Sequence, residues 1–412
     1  MTVGQNSSPA IHLSNDPARR RRLMLYAVEA VTGLASTMLI ISIFFYTEKR
    51  FAWSMRQNLI LAAVQGVVYV AGSLLANRLS QKFGRRKSLL VLFLMIGSIA
   101  AIGIFRPTPT AVTALLIIYT FVISLTWPML ESLVATGLSA RELSKVLGAY
   151  NLVWAGIGAC AVAINGTIIE HWPNGVFIIP TTAHALGLVL LWLTPTGPAP
   201  GTTPHQHEDL RAEDALLEQR RLALWLSRIA LPATYVVIFS LSAMLPSLPA
   251  VKRLPTSYAT LIGSAWLVAR WFTFWFLGAT HWWHTRPRLL LWAAVLMLLG
   301  FLGTVLPATH TGRLATILIA MIASQIVLGL ALGLIYSASL YFGMVLSDGS
   351  TEHGGYHEAL IGLGQTMGPL AGAIAQSIWP GSAIAGIVAV SGLLAVAIVG
   401  AGVAAIKMRQ AG

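Results

Sequence analysis

The chain has 412 residues, of which 56% are hydrophobic and only 10% are charged. Soluble globular domains carry about 25% charged residues, so this composition excludes an ordinary soluble protein. The formal net charge is +13, but most basic residues lie beside the ends of apolar segments, where they set membrane orientation, and we predict no nucleic-acid binding.

Twelve apolar segments are long enough to cross a bilayer as helices, which takes about 20 residues each. We therefore predict an all-α membrane protein that lies in the lipid bilayer. The tenth segment is unusually long, and we expect it to include a turn outside the membrane. The predicted spans are approximately 23–46, 58–78, 88–105, 111–136, 146–169, 175–194, 222–246, 258–279, 288–306, 314–346, 355–378 and 382–406.

The longest loop separates the sixth span from the seventh and marks the boundary between two halves of the chain. It is rich in proline at its start and charged towards its end, which is typical of a linker. We predict a cytoplasmic tail over 1–22, a six-helix bundle over 23–195, a cytoplasmic linker over 196–221, a second bundle over 222–406 and a cytoplasmic tail over 407–412.

The distribution of lysine and arginine predicts the orientation of the spans. The segment Arg19–Arg22, the loop 82–87 and the central linker all fall on one side of the membrane, and that side carries a large excess of basic residues. Basic loops are retained in the cytoplasm, so both termini are predicted to be cytoplasmic. The expected location is the cytoplasmic (inner) membrane of a bacterium. Cys160 is the only cysteine, which excludes an intramolecular disulfide.

The two halves share a short repeat. The residues Gly148, Tyr150, Gly156 and Gly158 recur 206 residues later as Gly354, Tyr356, Gly362 and Gly364. The first set opens the fifth span and the second opens the eleventh, as a duplicated six-helix unit predicts. Internal repeats of this kind are a mark of secondary transporters.

The loop between spans two and three carries a further motif, in which Gln81, Lys82 and Phe83 precede Gly84, Arg85 and Arg86. With the twelve spans, the linker and the repeat, it resembles the major facilitator superfamily (MFS), whose loop reads Asp-Arg-x-Gly-Arg-Arg after an earlier glycine. Here Asn77 replaces that glycine and Gln81 replaces the acidic residue. Gln81 can form hydrogen bonds but not the charged contact of the family's acid. The resemblance implies two pseudo-symmetric six-helix bundles and alternating access.

Arg270 is the clearest ionisable residue inside a span. It lies about 12 residues into span eight, roughly 18 Å along a helix and therefore near the bilayer centre. Such groups usually face a cavity or a partner. We hold two interpretations open: Arg270 binds an anionic or polar group of a solute, or it pairs permanently with a neighbouring helix.

Two glutamates are predicted within about two turns of the cytoplasmic surface. Glu29 lies on a polar stripe of span one with Tyr26, and Glu131 follows Trp127 by one turn in span four. Each is a candidate for substrate binding and for exchanging a proton with the solvent. The alternative is a gate residue bonded to the backbone or to cytoplasmic cations.

Further polar residues open spans five and eleven, where they form a matched pair of candidate gates or proton-coupling groups. The alternative is that they are interfacial residues at helix ends. These residues are Tyr150 and Asn151 in the first half and Tyr356, His357 and Glu358 in the second. Gln65 and Gln365 are deeper candidates for hydrogen bonds to a solute, and Tyr26, Trp127 and Tyr336 are candidate walls of its site.

The sequence predicts a secondary active transporter that moves a small solute by alternating access, with proton coupling as an option. The alternative is a membrane receptor or scaffold of the same fold that binds a solute without transport. An enzyme is not expected, because no nucleophile elbow, His-Glu-x-x-His pair or phosphate-binding loop is present. We predict no cofactor, no metal site and a monomer. The sequence leaves the identity of the solute and the direction of transport open.

Overall fold

The computed structural model describes residues 17–135, 138, 140–195, 210–280, 282–286, 288–346 and 351–411. Within these ranges the protein is helical and contains no β-strand, as predicted. The predicted tail 1–22 and linker 196–221 lie largely outside the described residues.

The first half contains eight α-helices and one turn of π-helix. Their bounds are α1 Pro17–Ser36, the π-helix Thr37–Ile41, α2 Ile43–Phe51, α3 Met55–Phe83, α4 Arg85–Phe105, α5 Pro109–Ser124, α6 Trp127–Ala135, α7 Ala140–His171 and α8 Gly175–Leu193. Two pairs of helices each make one span, because α1 continues into α2 and α5 into α6. The first half therefore has six spans.

The second half repeats this plan with one broken span, made by α11 and α12. Its helices are α9 Leu210–Met244, the 3₁₀ turn Leu245–Ser247, α10 Pro249–Lys252, α11 Thr256–Gly263, α12 Ala265–Ala279, the 3₁₀ turn Trp282–Thr285, α13 Arg288–Ala308, α14 Leu314–Leu346, α15 Thr351–Ile378 and α16 Ala383–Ala411. The expectation of a turn within the tenth span was wrong, because α14 is one continuous helix.

Local signals in the sequence account for several helix starts. α3 begins with a capping box, in which the Ser54 hydroxyl accepts from the backbone N–H of Gln57 (3.4 Å) and the Gln57 side chain accepts from the Ser54 backbone N–H (2.9 Å). α5 begins at Pro109, where the missing N–H of proline would be unsatisfied in any case. Between α3 and α4, Gly84 has a φ of 81°, which favours glycine.

Eleven helical segments in the described part of the chain are long and apolar enough to cross a membrane. The predicted eleventh span, α15, is long enough but is not among them, since polar residues interrupt its hydropathy. His357, Glu358 and Gln365 are all buried, and α15 packs against α3 and α9. Its polar groups therefore face protein, where a membrane helix tolerates them.

The glycines of the repeat occupy equivalent positions in the two halves. A Cβ on Gly156 of α7 would lie 2.7 Å from Trp271 Nε1 of α12, and a Cβ on Gly362 of α15 would lie 2.9 Å from the Val70 backbone nitrogen of α3. Both contacts join one half to the other. Small residues allow such close helix approach in membrane proteins, so these two glycines each lie at an interface between the halves.

Candidate functional site

A cavity lies between the two halves. Helices α1, α3, α6 and α7 and the π-helix line it from the first half, and α9, α12, α14 and α15 line it from the second. Its charged lining residues are Glu29, Glu131, Glu358 and Arg270.

Aromatic side chains form much of the cavity wall. Trp154 of α7 lies at 5.4 Å from Tyr336 of α14, measured between ring centroids. Trp127 is the first residue of α6, directly after the break that separates α5 from α6, so the break brings its ring to the cavity. Large rings of this kind provide apolar surface for a flat solute together with polar edges.

Arg270 is 4% exposed and lines the cavity from α12. Its guanidinium carbon lies 4.6 Å from the ring centre of Trp154, 5.0 Å from that of Trp266 and 5.7 Å from that of Phe274. Its Nε and Nη1 atoms have no hydrogen-bond partner. Among the described residues, no carboxylate forms an ion pair with it. The permanent acidic partner of our alternative interpretation is therefore not found in the described part of the chain.

The buried carboxyl groups form a cluster that both halves contribute. Glu29 accepts a hydrogen bond of 2.8 Å from the Tyr150 hydroxyl, and Glu358 accepts one from the Tyr69 hydroxyl. Glu131 and Glu358 have carboxylate oxygens within 4.8 Å of each other, and the Oε2 atom of Glu131 has no hydrogen-bond partner. Like charges this close disfavour one another, so the pair suits a shared proton or a bound cation.

His357 adds a ring nitrogen to this cluster, within 4.8 Å of ligand atoms of both Glu131 and Glu358. Its Nδ1 lies 3.0 Å from the Ser339 hydroxyl, which holds the ring in place. One imidazole and two carboxylates are a donor set that suits a divalent metal. The sequence analysis missed this set because Glu131 and His357 are far apart in the chain.

The structure brings eight of the predicted residues together around the cavity or beside it. Glu29, Trp127, Glu131, Tyr150, Arg270, Tyr336 and Glu358 line it, and His357 contacts the Tyr336 ring edge-on at 5.2 Å. Sequence reasoning missed Tyr69 and Tyr235, which also line it. Tyr69 lies one turn after Gln65 in α3, so that polar helical face was an available signal.

The other predicted residues do not line this cavity. The Tyr26 hydroxyl donates to the Val146 carbonyl (3.2 Å), and Gln65 donates from its amide nitrogen to Thr120 Oγ1 (3.0 Å). Gln365 is fully buried in α15, with no partner for either amide atom. Two further residues are elsewhere: Asn151 borders a smaller cavity beside Gly148 and Gly278, and Tyr356 is 48% exposed.

The sequence and the fold agree on a family. A family model described as Major Facilitator Superfamily matches residues 25–354, which is most of the chain. The protein belongs to the Major Facilitator Superfamily. MFS proteins are transporters rather than typical enzymes, and this one is an integral membrane protein with eleven clearly apolar candidate spans in its described part.

Solved structures share this MFS fold at low sequence identity. Crystal structures of the nucleoside transporter NupG, one of the unaltered protein and one of a point mutant, superpose with a TM-score of 0.61 each. Their identities are 14% and 13%, and each alignment covers 95% of this chain and 98% or 99% of the other. No curated protein matches the sequence significantly.

The MFS loop motif is anchored within the first half. Arg85 Nη1 donates to the Ser132 hydroxyl (2.9 Å), and Arg86 Nη2 donates to the Trp192 carbonyl (2.7 Å). Gln81 is exposed. The loop therefore ties α4 to α6 and to the end of α8, on the same side of the molecule as the start of α15.

Proposed function

We propose that the protein is a secondary active transporter that moves a small organic solute by alternating access. The two predicted bundles, 23–195 and 222–406, would move as bodies around the central cavity. The observation that carries this proposal is Arg270: a buried guanidinium with two unpartnered nitrogens, facing a cavity to which both halves contribute. Arg270 has a hydrogen bond with Tyr235 but no ionic partner among the described residues. A buried charge without an ionic partner is costly, which favours a site that a solute completes.

Contacts between the two halves close both ends of the cavity. At the end that carries the basic loop, a Cβ on Gly148 would lie 2.9 Å from the Gly278 Cα atom, so backbones of the two halves nearly touch. At the other end, Lys252 and Glu48 form an exposed ion pair of 3.5 Å, and the Thr256 N–H donates to Glu170 (2.5 Å). This end is also closely packed, because a Cβ on Gly166 would lie 2.2 Å from the Thr256 carbonyl oxygen.

Proton coupling is the second part of the proposal. Glu131 comes from the first half and Glu358 from the second, so a proton shared by their carboxyl groups would join the two halves. Releasing that proton would leave two neighbouring negative charges that repel each other and favour separation. In transporters, buried carboxyl groups commonly serve as such relays. Following the positive-inside rule, we assign the basic-loop end to the cytoplasm of a bacterium, and we propose a monomeric unit.

The experiment is a thermal-stability screen of the detergent-purified protein against a solute library, repeated with Arg270→Ala. A solute that binds the folded state raises the melting temperature by mass action. Nucleosides belong in the library because NupG, which shares the fold, is a nucleoside transporter. Solutes that stabilise the wild type but not the variant support the proposed site. Equal stabilisation of both proteins would remove Arg270 from it.

A flux assay in liposomes then separates transport from binding. A stabilising solute that enters liposomes only when the protein is present supports the transporter. A solute that binds tightly and is not transported would instead support the receptor or scaffold of the same fold.

A further inference from the structure

The cavity has a positive pole at Arg270. Three aromatic rings surround the guanidinium, and no carboxylate in the described ranges pairs with it. The ring environment excludes water and strengthens any electrostatic interaction made there. A guanidinium presents its donors as a planar fork that matches a carboxylate, and two of its nitrogens are free for such a contact. This pole therefore suits an anionic group of the solute.

The same cavity has a negative pole at Glu29, Glu131 and Glu358, which carries its full charge once the proton shared by Glu131 and Glu358 is released. Each of these side chains is at most 3% exposed. Within the described residues, neither a lysine nor an arginine forms an ion pair with any of them. The Tyr150 and Tyr69 hydroxyls donate to Glu29 and Glu358, but the Oε2 atom of Glu131 stays unpartnered. A protonated amine supplies both the charge and the N–H donors that this pole lacks.

Aromatic residues connect the two poles. Tyr235 and Tyr336 each lie near Arg270 and also near Glu131 and Glu358. Both tyrosines line the cavity, so a solute that reaches from one pole to the other passes their rings. A flat ring in the body of the solute would stack there, and an amine would gain further attraction from the ring faces.

We propose that the solute is a zwitterion with a ring, whose anionic group binds Arg270 and whose ammonium group binds Glu131 and Glu358. This inference rests on the proposed function, because it takes the cavity to be the transport site. A neutral solute would leave both poles unpaired, an organic anion would leave the carboxyl cluster unpaired, and an organic amine would leave Arg270 unpaired. A solute with both charges satisfies all of these groups at once.

The test uses three probes that share an indole ring and differ in charge: L-tryptophan, tryptamine and indole-3-propionate. Their affinities are measured by thermal shift and titration calorimetry on the purified wild-type protein. We expect L-tryptophan to bind most tightly. Removing either charge should weaken binding by roughly tenfold to a hundredfold, as expected for one charge-assisted contact. Equal affinities, tighter binding of a singly charged probe, or no binding of L-tryptophan would overturn the proposal.

Two substitutions test which pole binds each charged group of the solute. Arg270→Gln should abolish the preference for L-tryptophan over tryptamine, and Glu131→Gln should abolish the preference over indole-3-propionate. The matched control is Gln325→Leu, because Gln325 is buried and unpartnered in α14 but lies outside the cavity lining. It should keep both preferences. If Arg270→Gln and Glu131→Gln also keep them while the circular dichroism spectrum is native, the two poles are wrongly assigned.

Transport is measured separately from binding, so that the experiments distinguish a wrong substrate class from a wrong proposed function. Uptake of a neutral nucleoside, with no response to L-tryptophan, would overturn the zwitterion while the transporter stands. Binding of L-tryptophan with both preferences but without uptake would support the zwitterion and contradict the transporter.

Discussion

Replacing Arg270 with methionine distinguishes a binding role from a structural one through the stability of the empty protein. Methionine keeps an unbranched apolar side chain of similar length and removes the guanidinium. If Arg270 belonged to a permanent buried ion pair, the substitution would strand its partner and cost about 3–5 kcal/mol. For a protein of this size, that corresponds to a fall in melting temperature of about 3–6 °C.

The observed contacts predict a much smaller change. Loss of the aromatic contacts costs about 1–2 kcal/mol. Each of the two unpartnered buried donors that is removed returns about 1–3 kcal/mol, because the penalty of desolvating it disappears. The two effects offset each other, so Arg270→Met should be within about 2 kcal/mol of the wild type, or more stable than it. A gain in stability with a loss of function is common at binding sites.

The assay is thermal unfolding of purified wild type and Arg270→Met without solute, followed by the same measurement with a solute that stabilises the wild type. We expect similar melting temperatures without solute and no stabilisation of the variant by solute. Gln325→Leu is the control for removing an unpartnered polar group from a helix interior. A fall of about 3–6 °C in Arg270→Met, without a matching fall in the control, would refute the reasoning.

Three further predictions concern the interfaces and the carboxyl cluster. Gly66→Val should destabilise the protein by about 1–3 kcal/mol, because a Cβ there would lie 2.7 Å from the Gln365 carbonyl carbon. Gly392→Ala is the control and should not destabilise it, because the space around Gly392 is open. Thermal unfolding of both variants tests this prediction. The second prediction uses a protein that carries Cys160→Ser, Glu48→Cys and Lys252→Cys. Joining the two new cysteines with a reductant-cleavable thiol cross-linker should stop solute flux, and reductant should restore it. Full flux in the cross-linked protein would contradict opening at that end. Glu358→Gln should abolish uptake driven by a pH gradient, and unchanged gradient-driven uptake would exclude this residue from coupling.

The sequence predicted the fold well because membrane spans are set by local composition. Runs of apolar residues, the central linker and the glycine repeat each carry information within a short window. The exception is α15, which was predicted as a span. Its polar residues lower its mean hydropathy, so it is not one of the eleven clearly apolar helices. Those residues are buried against α3 and α9, and burial inside protein cannot be derived from the hydropathy of the helix alone.

The site was predicted only in part, because helical spacing shows which residues share a face but not which neighbour that face meets. Arg270 and Glu131 were identified since a charge inside a span is conspicuous at any position. Tyr69 was missed, although it donates to Glu358 across nearly 290 residues of sequence. The matched tyrosines Tyr150 and Tyr356 also differ in their surroundings. Tyr150 is buried and donates a hydrogen bond to Glu29, whereas Tyr356 is half-exposed.

The central claim is that a solute bound between the two halves crosses the membrane. Counterflow tests it most directly: liposomes containing the protein are loaded with an unlabelled solute that stabilises it, and entry of the labelled solute is followed from outside. We predict a transient accumulation of label above equilibrium with the wild type, and none with Arg270→Ala. Label that binds to the protein but never accumulates inside would contradict the claim.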